Sequence, residues 1–202
     1  MATLECSTAV ANEFQDLWRG DGERFTHTWE DRFVIQEGYT PVAAEALRGL
    51  LEKSGLKPGD FSRAALYTPD EKSGEGVARK LGFKPEQIQD PLFGRLGNTG
   101  AAFAPMLLVA ALETAKAGQR ILALAYGDGA HALAFQVTDR AEKLEPRRAV
   151  SGHLARRRAL RVSVIVIGCS KRCGRIGVPQ GVIRTGSTIQ VASHLPSRVN
   201  SS

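Results

Sequence analysis

The stretch from Gly97 to Asp139, "GNTGAAFAPMLLVAALETAKAGQRILALAYGDGAHALAFQVTD", constrains the fold more than any other part of the chain. From Ala101 to Leu112 nearly every residue is apolar, so no polar stripe is left to face water. A helix of that kind is ordinarily buried on all sides. The pattern predicts a helix from about Gly100 to Ala117, ended by Gly118 and sandwiched between two sheets. Behind it, "RILALAYG" and "HALAFQVTD" read as two strands separated by a tight turn at Gly127-Asp128-Gly129.

Upstream, "TPVAAEALRGLLEKSG" predicts a helix with Thr40 as N-cap, Pro41 at the first helical position and Gly55 as the stop. Ala64 to Tyr67 reads as a short buried strand halted by Pro69, and Lys72 to Gly82 as a further helix. The aromatic-rich run from Asn12 to Tyr39, broken by "RGDG", reads as short pieces lying over a core. The order helix–strand–helix–helix–strand–strand points to a layered α/β domain with a mixed sheet and a buried central helix.

Composition divides the chain near Arg140. Residues 1–140 hold 15 Lys/Arg against 19 Asp/Glu, residues 141–202 hold 12 against 2, and no aromatic residue follows Phe135. The domain assignment is therefore 1–140 as the folded unit and 141–202 as a basic, aromatic-free tail. A basic tail contacts anionic partners, but without aromatic groups among its charges it is a poor reader of single-stranded bases. Nucleic acid is accordingly not the expected partner. No apolar run approaches the roughly 18 residues of a membrane span, and "MATLECSTAV" has no signal-peptide pattern. Cys6, Cys169 and Cys173 are too few and too irregular for a disulfide framework, which makes the cytoplasm the expected compartment.

With Gly97-Asn98, "AGQRI" and "YGDGA" in this order and spacing, the chain resembles the C-terminal half of the thiolase-like condensing enzymes. It is most like the 3-hydroxy-3-methylglutaryl-CoA synthase group and is similar also to 3-oxoacyl-acyl-carrier-protein synthase III. In that group a "GN" motif opens the central helix and "AGKRI…YGSGL" supplies the next strand and turn. "FQDLWR…RF…GY" matches the preceding segment, so the resemblance covers residues 8–140. It implies acyl transfer from a coenzyme A thioester to a Cys, followed by carbon–carbon bond formation supported by a His, an Asn and backbone N–H groups. Asn98 falls on the catalytic Asn, although taken alone it reads equally as a helix cap. Gly97, Gly127 and Gly129 fall on the ligand-contacting glycines. No metal is implied.

Two departures limit the inference. The family's "FHTPFCK" is "LYTPDEK" here, so Tyr67 replaces the His while Thr68, Pro69 and Lys72 keep their places. A phenol with an ordinary pKa near ~10 donates a hydrogen bond but is a poor base at neutral pH. Tyr67 also reads as a packed strand-end aromatic. Lys72 is the candidate for coenzyme A phosphates or, alternatively, a solvated lysine. Of His27, His131, His153 and His194, only His131, next to "YGDG", stands where it would matter.

The second departure is the nucleophile, which in the family lies in a preceding half-domain. Cys6 in "LECSTAV" has no nucleophile pattern, and the C-x3-C pair Cys169/Cys173 supplies at most two zinc ligands. The expectation is a C-terminal part that is inactive alone and acts with an N-terminal half or a small acyl-CoA-binding partner, the full-length parent being a homodimer. The alternative is a non-condensing thiolase-like scaffold or retro-aldol partner. After about Leu160 the tail resembles nothing in the family and reads as non-native, out of frame or disordered.

Overall fold

Strand β1 (Ala2–Ala11) runs antiparallel along β6 (Gly129–Val137), β6 forms a hairpin with β5 (Arg120–Gly127), and β5 pairs in parallel with β4 (Arg63–Leu66). The sheet order is thus β1-β6-β5-β4, a mixed sheet as expected. These features come from a computed structural model, which describes residues 1–142 and 149–156. β1 is an addition to the sequence reading. Its register skips Glu5, between Leu4 and Cys6, and that carboxylate pairs with Arg120 at 2.7 Å.

Alternation along the strands divides the core in two. Leu122, Leu124, Ala130, Ala132 and Ala134 face helix α2 (Thr40–Ser54), which buries Val42, Ala43, Ala46, Leu47 and Leu50 against them. The three alanines of β6 are small enough to let the leucines of α2 lie close to the sheet. Phe61, Phe83 and helix α3 (Ser73–Lys80), through Val77 and Ala78, complete this side. On the other face Ala65, Ile121 and Val137 meet Phe103, Leu107, Ala110 and Ala111 of helix α5 (Phe103–Glu113). Helix α4 (Phe93–Leu96) leads into that region, and helix α6 (Val150–Ala155) adds Val150 and Leu154 to the same cluster.

Two expectations are corrected. Thr40 is not an N-cap: it lies at φ −61°, ψ −49°, inside helical backbone. Helix α1 (Asp31–Phe33) and a π-helical turn at Val34–Tyr39 wind into it, and the Thr40 N–H reaches back five residues to the Ile35 carbonyl. A capping residue needs a non-helical approach, and the chain arrives already coiled. The π-turn presents Gly38 to the core, where a Cβ would lie 2.6 Å from the Phe14 ring and 2.8 Å from the Tyr126 hydroxyl.

The second correction concerns α5. It begins after a 3-10 turn at Gly100–Ala102 and stops at Glu113, with Gly118 serving the turn into β5 at φ 79°. It is not buried all round: Val109 is 40% exposed and Pro105 faces outward, as do Ala101 and Ala102 of the preceding turn. Among the described residues the four-stranded sheet, Leu92, Phe93 and helix α6 pack in its cluster, and they leave part of its apolar surface exposed.

Before α1, strands β2 (Leu17–Trp18) and β3 (His27–Thr28) make a small separate ribbon. The ribbon and the segments beside it carry an aromatic run: Trp18 against Trp29 at 4.9 Å, Trp29 against Phe33 at 5.8 Å and Phe33 against Phe14 at 5.7 Å. No helix among the described residues is long and apolar enough to cross a membrane. The expectations for residues 157–202, including Cys169, Cys173, His194 and the non-native reading of the tail, lie outside the described residues, as do residues 143–148.

Candidate active site

Tyr67 leaves the C-terminal end of β4 with every backbone polar group engaged. Its N–H donates to the Leu124 carbonyl at 2.9 Å, and its carbonyl accepts from the Tyr39 hydroxyl at 2.6 Å. Just beyond, the buried Thr68 hydroxyl donates to the Asp70 carbonyl at 2.5 Å and accepts from the Gly74 N–H at 3.1 Å, which holds the turn into α3.

Asn98 arrives from the loop after α4. Its Oδ1 accepts from the Gly100 N–H at 2.8 Å, and its Nδ2 donates to the Tyr67 hydroxyl oxygen at 2.9 Å. The backbone donor at Gly100 requires the amide oxygen on its side, so the nitrogen must face Tyr67. Asn98 thus closes a local turn onto Gly100, ahead of the 3-10 turn and not as the N-cap of α5, and it also engages Tyr67.

With its oxygen accepting from Asn98, Tyr67 keeps its own O–H as a donor, and Asn98 keeps a second amide hydrogen. Burial pushes the Tyr67 pKa up; the Asn98 bond partly offsets this, and the charge of Asp16 adds to it. Burial likewise pushes Tyr126 up to about 12, with Asp16, Tyr67 and Asp128 reinforcing the shift. The fully buried Tyr39 is raised further, again mainly by burial. At neutral pH all three phenols are protonated donors. Asp16 is the acid of this neighbourhood whose pKa is raised, by burial first and then by Asp128.

Tyr67 opens into a cleft of about 510 Å³. Tyr126, Asp128 and His131 supply its other polar groups, Gly127 and Gly129 its turn, and alanines such as Ala101, Ala104 and Ala125 much of the remaining wall. Gly129 has φ 142°, and a Cβ there would lie 2.1 Å from the Val10 carbonyl, so the hairpin can lie this close to β1 only with glycine.

The structure thus brings Tyr67, Gly127 and Gly129 to the cleft wall, and Asn98 is joined to Tyr67 without itself lining the cleft. Gly97 is buried one residue before Asn98, at φ 74° and outside the cleft lining, where it shapes the exit from α4. Lys72 stands apart: it is exposed at the start of α3, and it does not line the cleft. A smaller cavity of about 190 Å³ near it carries Glu71, Glu75 and Asp90, a lining that repels phosphate.

His131 is an exposed residue of the cleft wall. His27 is on the ribbon, 3.0 Å from Glu23 and stacked on Trp18, and His153 is exposed on α6. Cys6 pairs in register with Ala134 and does not line the cleft. No group of three His, Cys, Asp or Glu side chains among the described residues is arranged to hold a metal. Sequence reasoning missed Tyr39, Tyr126 and Asp16, although Tyr126 lies inside the "YGDG" motif and Tyr39 inside "EGY".

Residues 51–138 match the family of the 3-oxoacyl-[acyl-carrier-protein] synthase III C terminal. The hydroxymethylglutaryl-CoA synthase of Methanopyrus kandleri is 35% identical over 147 residues, 71% of this chain and 42% of that one. Its counterpart from Aeropyrum pernix is 37% identical over 148 residues, 72% of this chain and 41% of that one. The chain therefore spans about two fifths of the length of these relatives. Among solved structures, 3-oxoacyl-[acyl-carrier-protein] synthase III from Aquifex aeolicus superposes with a TM-score of 0.58 at 23% identity, covering 67% of this chain and 44% of that one. An HMG-CoA synthase complexed with CoA superposes at 0.56 and 18% identity, covering 77% and 44%. The fold is thiolase-like, and the resemblance read from the sequence stands.

Proposed function

We propose that this chain, which carries the C-terminal domain of the thiolase-like condensing enzymes, forms the carbonyl-binding wall of an acyl-CoA site. The observation that carries the reading is the 2.9 Å bond from Asn98 Nδ2 to the Tyr67 hydroxyl. It leaves the Tyr67 O–H, on the cleft wall, for the oxygen of a bound thioester, with the second Asn98 amide hydrogen beside it although Asn98 is not part of the cleft lining. Two neutral donors in a half-buried setting stabilise the negative charge that develops when a thioester carbonyl is attacked. The backbone at Gly127–Gly129 borders the same cleft and would receive the acyl group. Lys72 would meet coenzyme A phosphates only at the outer surface, apart from the cleft and outside the acidic cavity of Glu71, Glu75 and Asp90.

In the full-length parent the reaction would be carbon–carbon bond formation between acyl thioesters, as in a hydroxymethylglutaryl-CoA synthase. An N-terminal half would bring the Cys nucleophile, and the parent would be a homodimer; a small acyl-CoA-binding protein is the other partner proposed. By itself the 202-residue chain is expected to carry out no condensation. A second reading is favoured by Tyr67 standing where the family has His: a non-condensing scaffold or retro-aldol partner. A phenol held protonated polarises a carbonyl without removing a proton from the second substrate.

Calorimetric titration with acetonyl-CoA, a ketone that mimics acetyl-CoA without a cleavable thioester, tests the proposal. Tyr67→Phe and Asn98→Ala are each expected to weaken binding roughly tenfold, the worth of about 1.4 kcal/mol in a directed hydrogen bond. Binding unaffected by both substitutions would sink the reading. Condensation or acyl transfer by the isolated chain would overturn its predicted inactivity.

A further inference from the structure

The Tyr39 hydroxyl has no role in the chemistry just proposed, yet it is fully buried and spends its one hydrogen on the carbonyl of Tyr67 at 2.6 Å. Its ring stands edge-on to Tyr126 at 5.2 Å and 84°, and tilted to Tyr67 at 6.4 Å. Tyr39 closes the π-helical turn, and Gly38 beside it has no side chain where Phe14 and the Tyr126 hydroxyl press in. An ordinary α-turn has one residue fewer per hydrogen-bonded ring, and every side chain of the segment would rotate away from this register.

We propose that Tyr39 is a positioning residue for the site: by holding the carbonyl at the end of β4, it fixes the direction in which the Tyr67 hydroxyl meets Asn98 and the cleft. This rests on reading Tyr67 as the carbonyl donor. The chain between β4 and α3 turns sharply at Tyr67–Asp70. The bonds from Tyr67 N–H to Leu124 and from Tyr39 to the Tyr67 carbonyl clamp one peptide on each side of the Tyr67 Cα. With both peptides held, the Tyr67 Cα–Cβ bond keeps one direction, and the rings of Phe103 and Tyr126, at 5.6 and 5.8 Å, set the phenol toward Asn98. Without the Tyr39 hydroxyl the Tyr67 carbonyl loses this partner, and a shift of the end of β4 displaces the Tyr67 ring relative to Asn98.

The test uses the full chain with ring-labelled tyrosine, in which the Tyr67 resonance is assigned by its loss in Tyr67→Phe. Tyr39→Phe keeps the ring and removes the donor. It is expected to shift the Tyr67 resonance and to weaken acetonyl-CoA binding roughly two- to tenfold, the range of one hydrogen bond. Val77→Ala, a buried change on α3 within the same core cluster, should lower Tm while leaving the Tyr67 resonance in place and binding within about twofold of wild type. A Tyr67 resonance left in place by Tyr39→Phe overturns the proposal.

Should Tyr39→Phe fail to fold, the wild-type chain decides the matter. A slowly exchanging Tyr39 hydroxyl proton with a cross-peak to Tyr67 supports the clamp, and a hydroxyl exchanging like an exposed phenol refutes it. If wild type binds no acetonyl-CoA, the carbonyl-donor reading falls, and the resonance shift alone still judges Tyr39.

Discussion

Helices α2 and α5 lie on opposite faces of the same sheet and solve burial in opposite ways. α2 is amphipathic: its apolar stripe, Val42 to Leu50, is fully covered, and Glu45 and Arg48 face water. α5 is far more apolar, yet it buries only Phe103, Leu107, Ala110 and Ala111 and leaves Val109 40% exposed. The more apolar helix is the less covered one. Apolar content thus measures the demand for burial, whereas the neighbours an element meets decide how much of that demand is satisfied.

The sharpest way to break this contrast is in the core. Leu47→Ala is expected to cost about 3–5 kcal/mol, because α2 is enclosed and cannot collapse into the cavity. Leu107→Ala should cost less, about 2–3 kcal/mol, because α5 can settle toward its open side. Urea unfolding of both variants checks the order, and equal losses would contradict it.

Alkaline unfolding gives an intermediate effect. The raised phenol pKa of Tyr126 means that the unfolded chain, with a tyrosine pKa near 10, loses its proton before the folded chain does. Its contribution is therefore intact below about pH 10, declines as pH rises toward about 12, and is spent above that. Tyr67 and Tyr39 shift the same way and extend the decline. Tyr126→Phe should make the loss of stability between those pH values shallower, as read from unfolding midpoints at each pH. An unchanged slope would contradict the burial of this phenol.

The smallest expected effect is on the open face of α5. Val109→Ser should change the stability of the monomeric chain by no more than about 0.5 kcal/mol. A loss above about 1 kcal/mol, growing with protein concentration, would mean that this face is covered in solution.

Much of the architecture was legible. The β5–β6 hairpin and the "YGDG" turn announced themselves through alternation and paired glycines, and β4 through a short apolar run ended by a proline. Asn98 could be singled out because its motif recurs at the right distance from that turn. β1 was missed because "ATLECSTAVA" alternates only weakly: an edge strand with a skipped residue exposes both of its faces in part. The π-turn was missed because Thr40-Pro41 imitates a helix start, and no local signal distinguishes that from a proline following an already wound segment. Lys72 kept its place in the motif, but the side chain ended up outside the cleft lining.

The sequence by itself determined which segments must seek burial and where the backbone has to turn, because hydrophobic spacing, glycine and proline act within a few residues. Only the tertiary structure decided that the Asn98 amide reaches the Tyr67 hydroxyl, that Tyr39 bonds the Tyr67 carbonyl, and that Val109 of α5 is left exposed by the described residues. Each of these joins residues far apart along the chain. Hydrogen bonds of a few ångströms depend on how whole elements pack, and no local pattern encodes that.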